Sequence, residues 1–301
     1  MDERVYEIGF AARITMDAHS LNNEGATGNV IEPRTVVLAD GSKTDGISGE
    51  MLKHLHAASL FHLTREIPDA LCDACQNFSP MKADGNPKKK GTKVVDALNE
   101  ALKSCILCDA HGFLVQDPTF SRKSTIEFGW ALALPGHYHR DIHVHTRVAP
   151  GEKERPKADA ENKTSEQMIY NRPTRSGVYA FVSVFQPWRI GLNEVNYTYI
   201  INDQTRASRY KLVLDAYESM FTRMEGAMTT TRLPHIEKIE GAILTSSEPH
   251  PVPLISPLKD DYIEEISKIT KDVKQFSSLS ELLNKIEELK TITPYKFEAY
   301  K

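Results

Sequence analysis

Apolar and polar side chains alternate near the start of the chain, at residues 5–14. A repeat of two residues is typical of a β-strand with one face in the core, so this pattern predicts a first strand. The repeat returns at residues 125–134, with bulky side chains on one face, and at residues 177–185. A further core strand is predicted at residues 239–245.

Two longer segments have the 3.6-residue repeat of an amphipathic helix instead. The first begins after Ser48, a plausible N-cap, and its apolar stripe covers residues 51–58. The second has its stripe at residues 210–224 behind an Asp203 cap. Two shorter helices are predicted within residues 258–301, one of them behind a capping box.

The predicted core order is strand, helix, strand, strand, helix, strand. This order indicates an α+β protein with the ferredoxin-like βαββαβ arrangement, which RNA-recognition-motif domains also use. We expect a core domain at residues 1–257, called the palm, with an insertion at 66–110, called the finger insertion, and another at 136–175, called the thumb insertion. Residues 258–301 are expected to be a helical segment. Residues 150–167 have few large apolar side chains, which predicts a mobile protrusion.

The finger insertion contains all four cysteines of the chain, in two C-x-x-C pairs. Paired thiolates at this spacing suit a tetrahedral ion, which favours a structural zinc site over an iron–sulfur cluster or chance clustering. The predicted ligands are Cys72, Cys75, Cys105 and Cys108.

Composition limits the classes of partner. The net charge of −4 argues against nucleic-acid binding over the whole surface, so any polyanion site must be a local patch. No apolar run approaches the length of about 18 residues that a membrane span needs, and the first residues lack the character of a signal peptide. We therefore expect a cytoplasmic protein without a membrane partner.

Two segments are candidate ligand sites. Residues 46–56 lead from a glycine loop into the first helix and carry cations in its first turns. Free N–H groups at a helix start attract anions, so this segment has the features of a phosphate cradle. Residues 19–29 form a polar loop rich in glycine and asparagine, a composition that suits either a polar ligand or an inert loop.

Four motifs carry a resemblance to a known family. They are His19-Ser-Leu-Asn22 with its loop, Ile47 to His54, Ala110-His-Gly-Phe113, and Arg172 to Tyr179. Their order and residues resemble the DevR-type CRISPR-associated autoregulator family, and the similarity runs from about residue 4 to residue 262.

The resemblance implies a non-catalytic backbone subunit of a type I CRISPR surveillance complex (Cascade), which acts in antiviral defence. Such a subunit has a palm, fingers and a thumb, and its copies form a helical filament along the CRISPR RNA. The implied partners are CRISPR RNA, further copies of the chain, other Cascade subunits and, through the guide RNA, target DNA. A filament on variable spacers must contact phosphates and ribose and leave base edges free.

We expect the start of the first helix, the basic turn before Thr125 and the arginines before Gly177 to line one cationic path. The candidate RNA-binding residues are His19, Asn22, Asn23, Ser48, Lys53, His54, Arg122, Lys123, Arg172, Arg175, Thr230 and Arg232.

Two other functions are open at this stage. The first is a metal-dependent nuclease that processes RNA or cleaves target RNA, using His111, His143 and His145 or an acidic residue. Its candidate acids are Asp141, Asp159 and Glu161. The second is a transcriptional regulator, which would need a DNA-reading helix with a basic face that the sequence does not show.

Overall fold

A computed structural model describes residues 3–27, 30–86, 93–117, 119–147 and 168–298. The protrusion predicted at residues 150–167 lies outside these ranges, as do Asp159 and Glu161. Within these ranges the chain combines helices with a large, mostly antiparallel sheet, which confirms the α+β class.

The strands include every core strand that alternation predicted, together with several shorter ones. They are β1 (Arg4–Val5), β2 (Glu7–His19), β3 (Asn23–Thr27), β4 (Val30–Pro33), β5 (Thr35–Val37), β6 (Lys43–Ile47), β7 (Phe113–Val115), β8 (Phe120–Arg122), β9 (Ile126–Phe128), β10 (Ala131–Arg147), β11 (Met168–Phe185), β12 (Leu192–Asn193), β13 (Thr198–Tyr199), β14 (His235–Ser246), β15 (Val273–Phe276) and β16 (Thr293–Pro294).

The helices include the four that the apolar stripes predicted. They are α1 (Gly49–Thr64), α2 (Asp73–Gln76), α3 (Val94–Ser104), α4 (Ile106–His111), α5 (Asp203–Thr222), α6 (Tyr262–Ile269) and α7 (Leu279–Leu289). Ser48 caps α1 as predicted, since its side chain accepts a hydrogen bond from the Met51 N–H.

The large sheet has the order β15-β14-β2-β11-β10-β6-β5, and β9 pairs with β11 beside β10. Helices α1 and α5 pack together on one side of it. Aromatic side chains join the layers: Phe10 of β2 stacks on Tyr217 of α5 at 4.5 Å, and Phe181 of β11 meets Phe221 at 5.4 Å. Burial of these rings stabilises the contact between sheet and helices. The opposite side of the sheet is called the open side below.

The strand predicted at residues 125–134 is interrupted at Gly129, where a Cβ would lie 2.5 Å from a Val182 methyl group. Before the break Phe128 packs toward the helices, 5.8 Å from Tyr217. After the break Trp130 lines a groove on the open side. The prediction of a single bulky face is therefore wrong, because the irregular backbone reverses the faces.

Strands β10 and β11 continue as a paired ribbon, residues 138–147 and 168–177, and β4 pairs with β11 at Asn171. Side chains alternate between its two faces, so Arg140 and Arg175 share one face and His143 and Arg172 share the other. This ribbon occupies the described ends of the predicted thumb insertion.

The C-terminal segment contains the two predicted helices and also a strand that the sequence did not predict. Strand β15 extends the sheet beside β14. The preceding residues 252–262 cover part of the open side, where Arg13 donates hydrogen bonds to the carbonyl oxygens of Pro257 and Lys259 at 2.8 and 3.0 Å. Residues 258–301 are therefore not purely helical, since one segment completes the sheet and another covers it.

Candidate nucleic-acid interface and cysteine cluster

A buried carboxylate, Asp45 of β6, organises the base of the ribbon. It accepts hydrogen bonds from Arg140 Nε at 3.0 Å, Arg175 Nη1 at 3.0 Å and the Tyr179 hydroxyl at 2.8 Å. His19 Nε2 lies 2.9 Å from the same hydroxyl. These five residues are called the ribbon-base cluster. Two guanidinium groups meet one carboxylate, which leaves an excess of positive charge.

Arg175 has donors that find no acceptor within the part of the chain described. Its side chain is buried, yet Nε and Nη2 lack a hydrogen-bond partner. A buried donor without an acceptor costs about 1–3 kcal/mol, and more if it is charged. Because the Arg175 side chain is 0% exposed and pairs with Asp45, the expected contact of Arg175 with RNA is corrected: this guanidinium is an internal group.

His19, predicted as a loop residue that contacts RNA, is instead buried at the end of β2. Because the Tyr179 hydroxyl donates to Asp45, His19 Nε2 must donate to that hydroxyl, and Nδ1 accepts from the Leu21 N–H. Burial, followed by the charge of Arg175, lowers the pKa of His19 to about 3. This prediction is corrected: strand β2 extends further than the alternation indicated, and His19 positions the cluster from inside.

Acid should destabilise the fold through two neutral buried histidines. Burial also lowers the pKa of His56 to about 3, against 6.5 in an unfolded chain. The unfolded state therefore binds more protons between pH 6.5 and 3, and stability falls as the pH drops below 6.5. We expect a loss of up to about 1.4 kcal/mol per pH unit for each histidine, measured as urea midpoints at pH 7.5 and pH 5.5. Equal midpoints would contradict this expectation, and a folded His19→Gln variant should show a shallower dependence.

Asn22 and Ser48 hold the start of α1 in place. Asn22 has a left-handed backbone with φ of 56°, and its Oδ1 accepts from the Ser48 N–H at 2.7 Å. Ser48 is buried as the helix cap. The predicted RNA contact of Ser48 is therefore corrected, because its hydroxyl is buried and caps the helix. Asn22 is half-buried, and its RNA contact stays a prediction. Asn23 is half-buried and donates to Ser20.

The loop after α5 connects α1 to the ribbon. His54 Nε2 lies 3.3 Å from the Gly226 carbonyl oxygen, and Arg232 Nη2 lies 3.3 Å from His145 Nε2 on the ribbon. Thr230 between them is exposed. His54 on α1 therefore lies beside the loop that carries Thr230 and Arg232, and Arg232 lies next to the ribbon face that carries Arg172.

Arg122 does not belong to this surface. Its guanidinium is 1% exposed, forms ion pairs with Asp109 and Glu194, and donates to the Arg189 and Leu192 carbonyl oxygens. The prediction that Arg122 contacts RNA is corrected, because its charge is compensated inside the protein.

Lys123 and Lys53 lie at a different end of the sheet from Arg175. Exposed Lys123 pairs with Glu127 at 2.5 Å, and Lys53 is half-buried near the same carboxylate. Glu127 opposes Val184 on β11, nine residues after Arg175, which corresponds to about 30 Å along a strand. The expected single path is corrected to two separate cationic regions.

The four cysteines come together in a buried cluster that could bind a metal ion. Their Sγ atoms all lie within 4.8 Å of one another, and Cys108 Sγ is 3.8 Å from those of Cys72 and Cys75. A tetrahedron with metal–sulfur bonds of about 2.3 Å has edges of about 3.8 Å, so the donor set fits one ion. The prediction that the two pairs converge is confirmed.

The described residues also hold three converging acids, Asp215, Glu218 and Glu287. Lys290 Nζ lies 2.5–2.7 Å from all three, so an internal cation already compensates them. His111, a candidate nuclease residue, is buried with Nε2 at 3.0 Å from His56 Nδ1. Asp141 and His143 are exposed on the ribbon.

Sequence reasoning missed Asp45, Arg140 and Tyr179. Asp45 does carry a signal, because it stands in a short strand next to Ile47, and a buried acid requires a cationic partner. The sequence does not predict which cation that partner is, because Arg175 lies 130 residues away from Asp45.

These features define a mixed α+β protein with a cationic surface at the base of a ribbon and a buried four-cysteine cluster. The chain belongs to the family described as CRISPR-associated negative auto-regulator DevR/Csa2, whose model matches residues 10–267. This confirms the resemblance seen in the four motifs.

The solved structures that resemble this chain are distant in sequence. A chain titled CRISPR RNA-guided surveillance complex, pre-nicking, has a TM-score of 0.52 at 11% identity, covering 98% of this chain and 96% of that one. A second, titled CRISPR RNA-guided surveillance complex, has a TM-score of 0.48 at 11% identity, covering 98% and 95%. Csc2 from Thermofilum pendens has a TM-score of 0.40 at 12% identity, covering 97% and 87%. No curated protein matches the sequence. Among the described residues, no helix has the length and apolar character needed to cross a membrane.

Proposed function

We propose that this chain is a non-catalytic, guide-RNA-binding backbone subunit of a type I CRISPR surveillance complex in the cytoplasm. The cations of the ribbon and the adjoining loop, among them Arg140, Arg172 and Arg232, carry this proposal together with the family match. Arginine side chains bind phosphate oxygens, which every nucleotide supplies whatever its base. Family membership makes CRISPR RNA the candidate polyanion.

The sheet order supports an RNA-recognition-motif palm. The four core strands of the predicted order correspond to β2, to β9 and β10 together, to β11 and to β14. Strands β2 and β11 lie side by side in the middle of this set, between β14 and β10. Helices α1 and α5 occupy the two crossover positions. The cysteine module between α1 and β9 corresponds to the finger, and the ribbon to the base of the thumb. Further copies, other Cascade subunits and target DNA paired to the guide are the proposed partners.

Zinc is the proposed ion of the cysteine cluster. Four thiolates around one point suit zinc, and when bound the ion would supply folding energy and leave no open position for chemistry. A multinuclear iron–sulfur cluster places iron and sulfide atoms between its cysteines and would require wider sulfur separations than 3.8 Å.

The nuclease alternative has weaker support in the described residues. The converging acids around Lys290 are held in ion pairs with that lysine, and His111 is enclosed by the core. Among the described residues, Asp141, His143 and His145 do not converge on a point where a metal ion could bind. A catalytic metal site needs carboxylates that are open to water or substrate.

Removing an arginine of the ribbon or of the adjoining loop should weaken binding to RNA of any nucleotide sequence. For Arg172→Ala and Arg232→Ala we expect lower affinity for unrelated spacer RNAs and a log–log salt slope smaller by about 0.7 for each phosphate that the variant no longer neutralises. Titrations of labelled RNA at several salt concentrations measure both. Lys268→Ala, which removes an exposed cation on α6, is the matched control. Unchanged slopes in both arginine variants would place the RNA elsewhere.

A further inference from the structure

The open side of the sheet presents an aromatic ring in a groove. Trp130 is 36% exposed, whereas Tyr179 and Phe181 on β11 are buried toward the helices. The groove has a volume of about 610 Å³, and its apolar floor and hydroxyl-bearing rim are formed by Thr35, Val36, Val37, Trp130, Leu132, Ala180, Val182 and Ser256. The covering segment at residues 252–262 contributes Ser256 to the rim of this groove.

A cation accompanies the ring. The Arg34 guanidinium carbon lies 5.8 Å from the centroid of the Trp130 ring. An aromatic ring beside an arginine is the combination that single-stranded nucleic-acid sites use, because a base can stack on the ring while the cation attracts its phosphate.

The groove is continuous with the ribbon surface. Alternation along β11 places Arg172, Thr174 and Ser176 on the same side as Ala180 and Val182 of the groove floor. Eight residues separate Arg172 from Ala180, which corresponds to about 26 Å along a strand. The ribbon and the groove can therefore contact different nucleotides of one strand.

We propose that the groove at Trp130 is a nucleobase site, in which one unstacked base of a single-stranded nucleic acid lies against the indole beside Arg34. This inference rests on the proposed function, since it assigns a place to a base of a strand whose phosphates contact the ribbon. The charge favours a nucleotide over a neutral apolar side chain of a protein partner, because cations stand both at the ring and along the ribbon.

Tryptophan fluorescence tests the site directly. The chain has two tryptophans, and Trp188 is stacked on Tyr6 at 5.4 Å, so a Trp188→Phe variant leaves Trp130 as the sole reporter. Titration with oligo(U) and oligo(A) of about ten nucleotides should quench its emission in parallel with binding measured by anisotropy. Trp130→Leu should weaken binding of both by about tenfold, whereas Val195→Ala, at an exposed apolar residue elsewhere, should not.

The outcomes separate this inference from the proposed function. If RNA binds, depends on Arg172, and leaves both Trp130 emission and the Trp130→Leu affinity unchanged, the nucleobase site is rejected while the proposed function stands. If the emission responds to another protein subunit and not to oligonucleotide, the groove is a protein contact and the nucleobase site is rejected. If no variant or parent chain binds RNA, both proposals fail.

Discussion

Replacing Cys105 with serine should remove the bound metal and unfold the cysteine module. Cys105 is fully buried and belongs to the four-sulfur cluster that joins α2 to α4. Structural zinc contributes roughly 10–16 kcal/mol of apparent binding free energy in small domains, so loss of one ligand should have a large effect on folding. Elemental analysis should find one zinc per parent chain and much less in the variant, with a lower melting temperature.

The control is Asn77→Ala, which changes an exposed polar residue of the same module. It should keep both the metal and the melting temperature. A metal-free parent protein with the same melting temperature as the Cys105→Ser variant would remove the zinc proposal.

Neutralising Asp109 should cause the second large loss of stability. This buried carboxylate pairs with Arg122 at 3.1 Å and Arg209 at 2.8 Å and accepts from the Gly191 N–H. It thereby joins α4 to β8 and to α5. Asp109→Asn would remove the carboxylate that pairs with buried Arg209 and leave Arg122 with Glu194 alone. Breaking a buried ion pair by removing one partner typically costs about 3–5 kcal/mol.

Urea unfolding of the full chain measures this cost. Asp117→Asn, at an exposed position, is the matched control and should change stability by less than about 0.5 kcal/mol. An Asp109→Asn variant as stable as that control would contradict this expectation. It would mean that the ion pairs of Asp109 with Arg122 and Arg209 are not what joins α4 to β8 and α5.

Sequence periodicity predicted the core because bulky apolar side chains recur in these segments at the repeat of a strand or of a helix. Local patterns predicted strand β2, whose Phe10 packs against Phe221 and Tyr217. They also predicted helix α1 behind its Ser48 cap. The cysteine cluster could also be predicted from a local pattern, because the C-x-x-C spacing itself indicates a metal site.

The positions of the polar residues were less predictable because they depend on distant partners. Arg122 and Arg175 look alike as basic residues before strands, yet Arg122 meets Asp109 and Arg175 meets Asp45 in the interior. The reversal of faces at Gly129 also depends on tertiary packing, since Val182 on β11 approaches that backbone closely. A local sequence pattern cannot predict these contacts, because they join residues that are distant in sequence.

Recovery of bound nucleic acid tests the central claim most directly. The chain would be purified from cells that express a CRISPR array together with the other complex subunits, and the extracted nucleic acid would be sequenced. The proposed function predicts discrete CRISPR RNAs that contain spacers of unrelated sequence, with recovery reduced in the Arg172→Ala variant. A purified complex without RNA, or with only random cellular RNA, would contradict it.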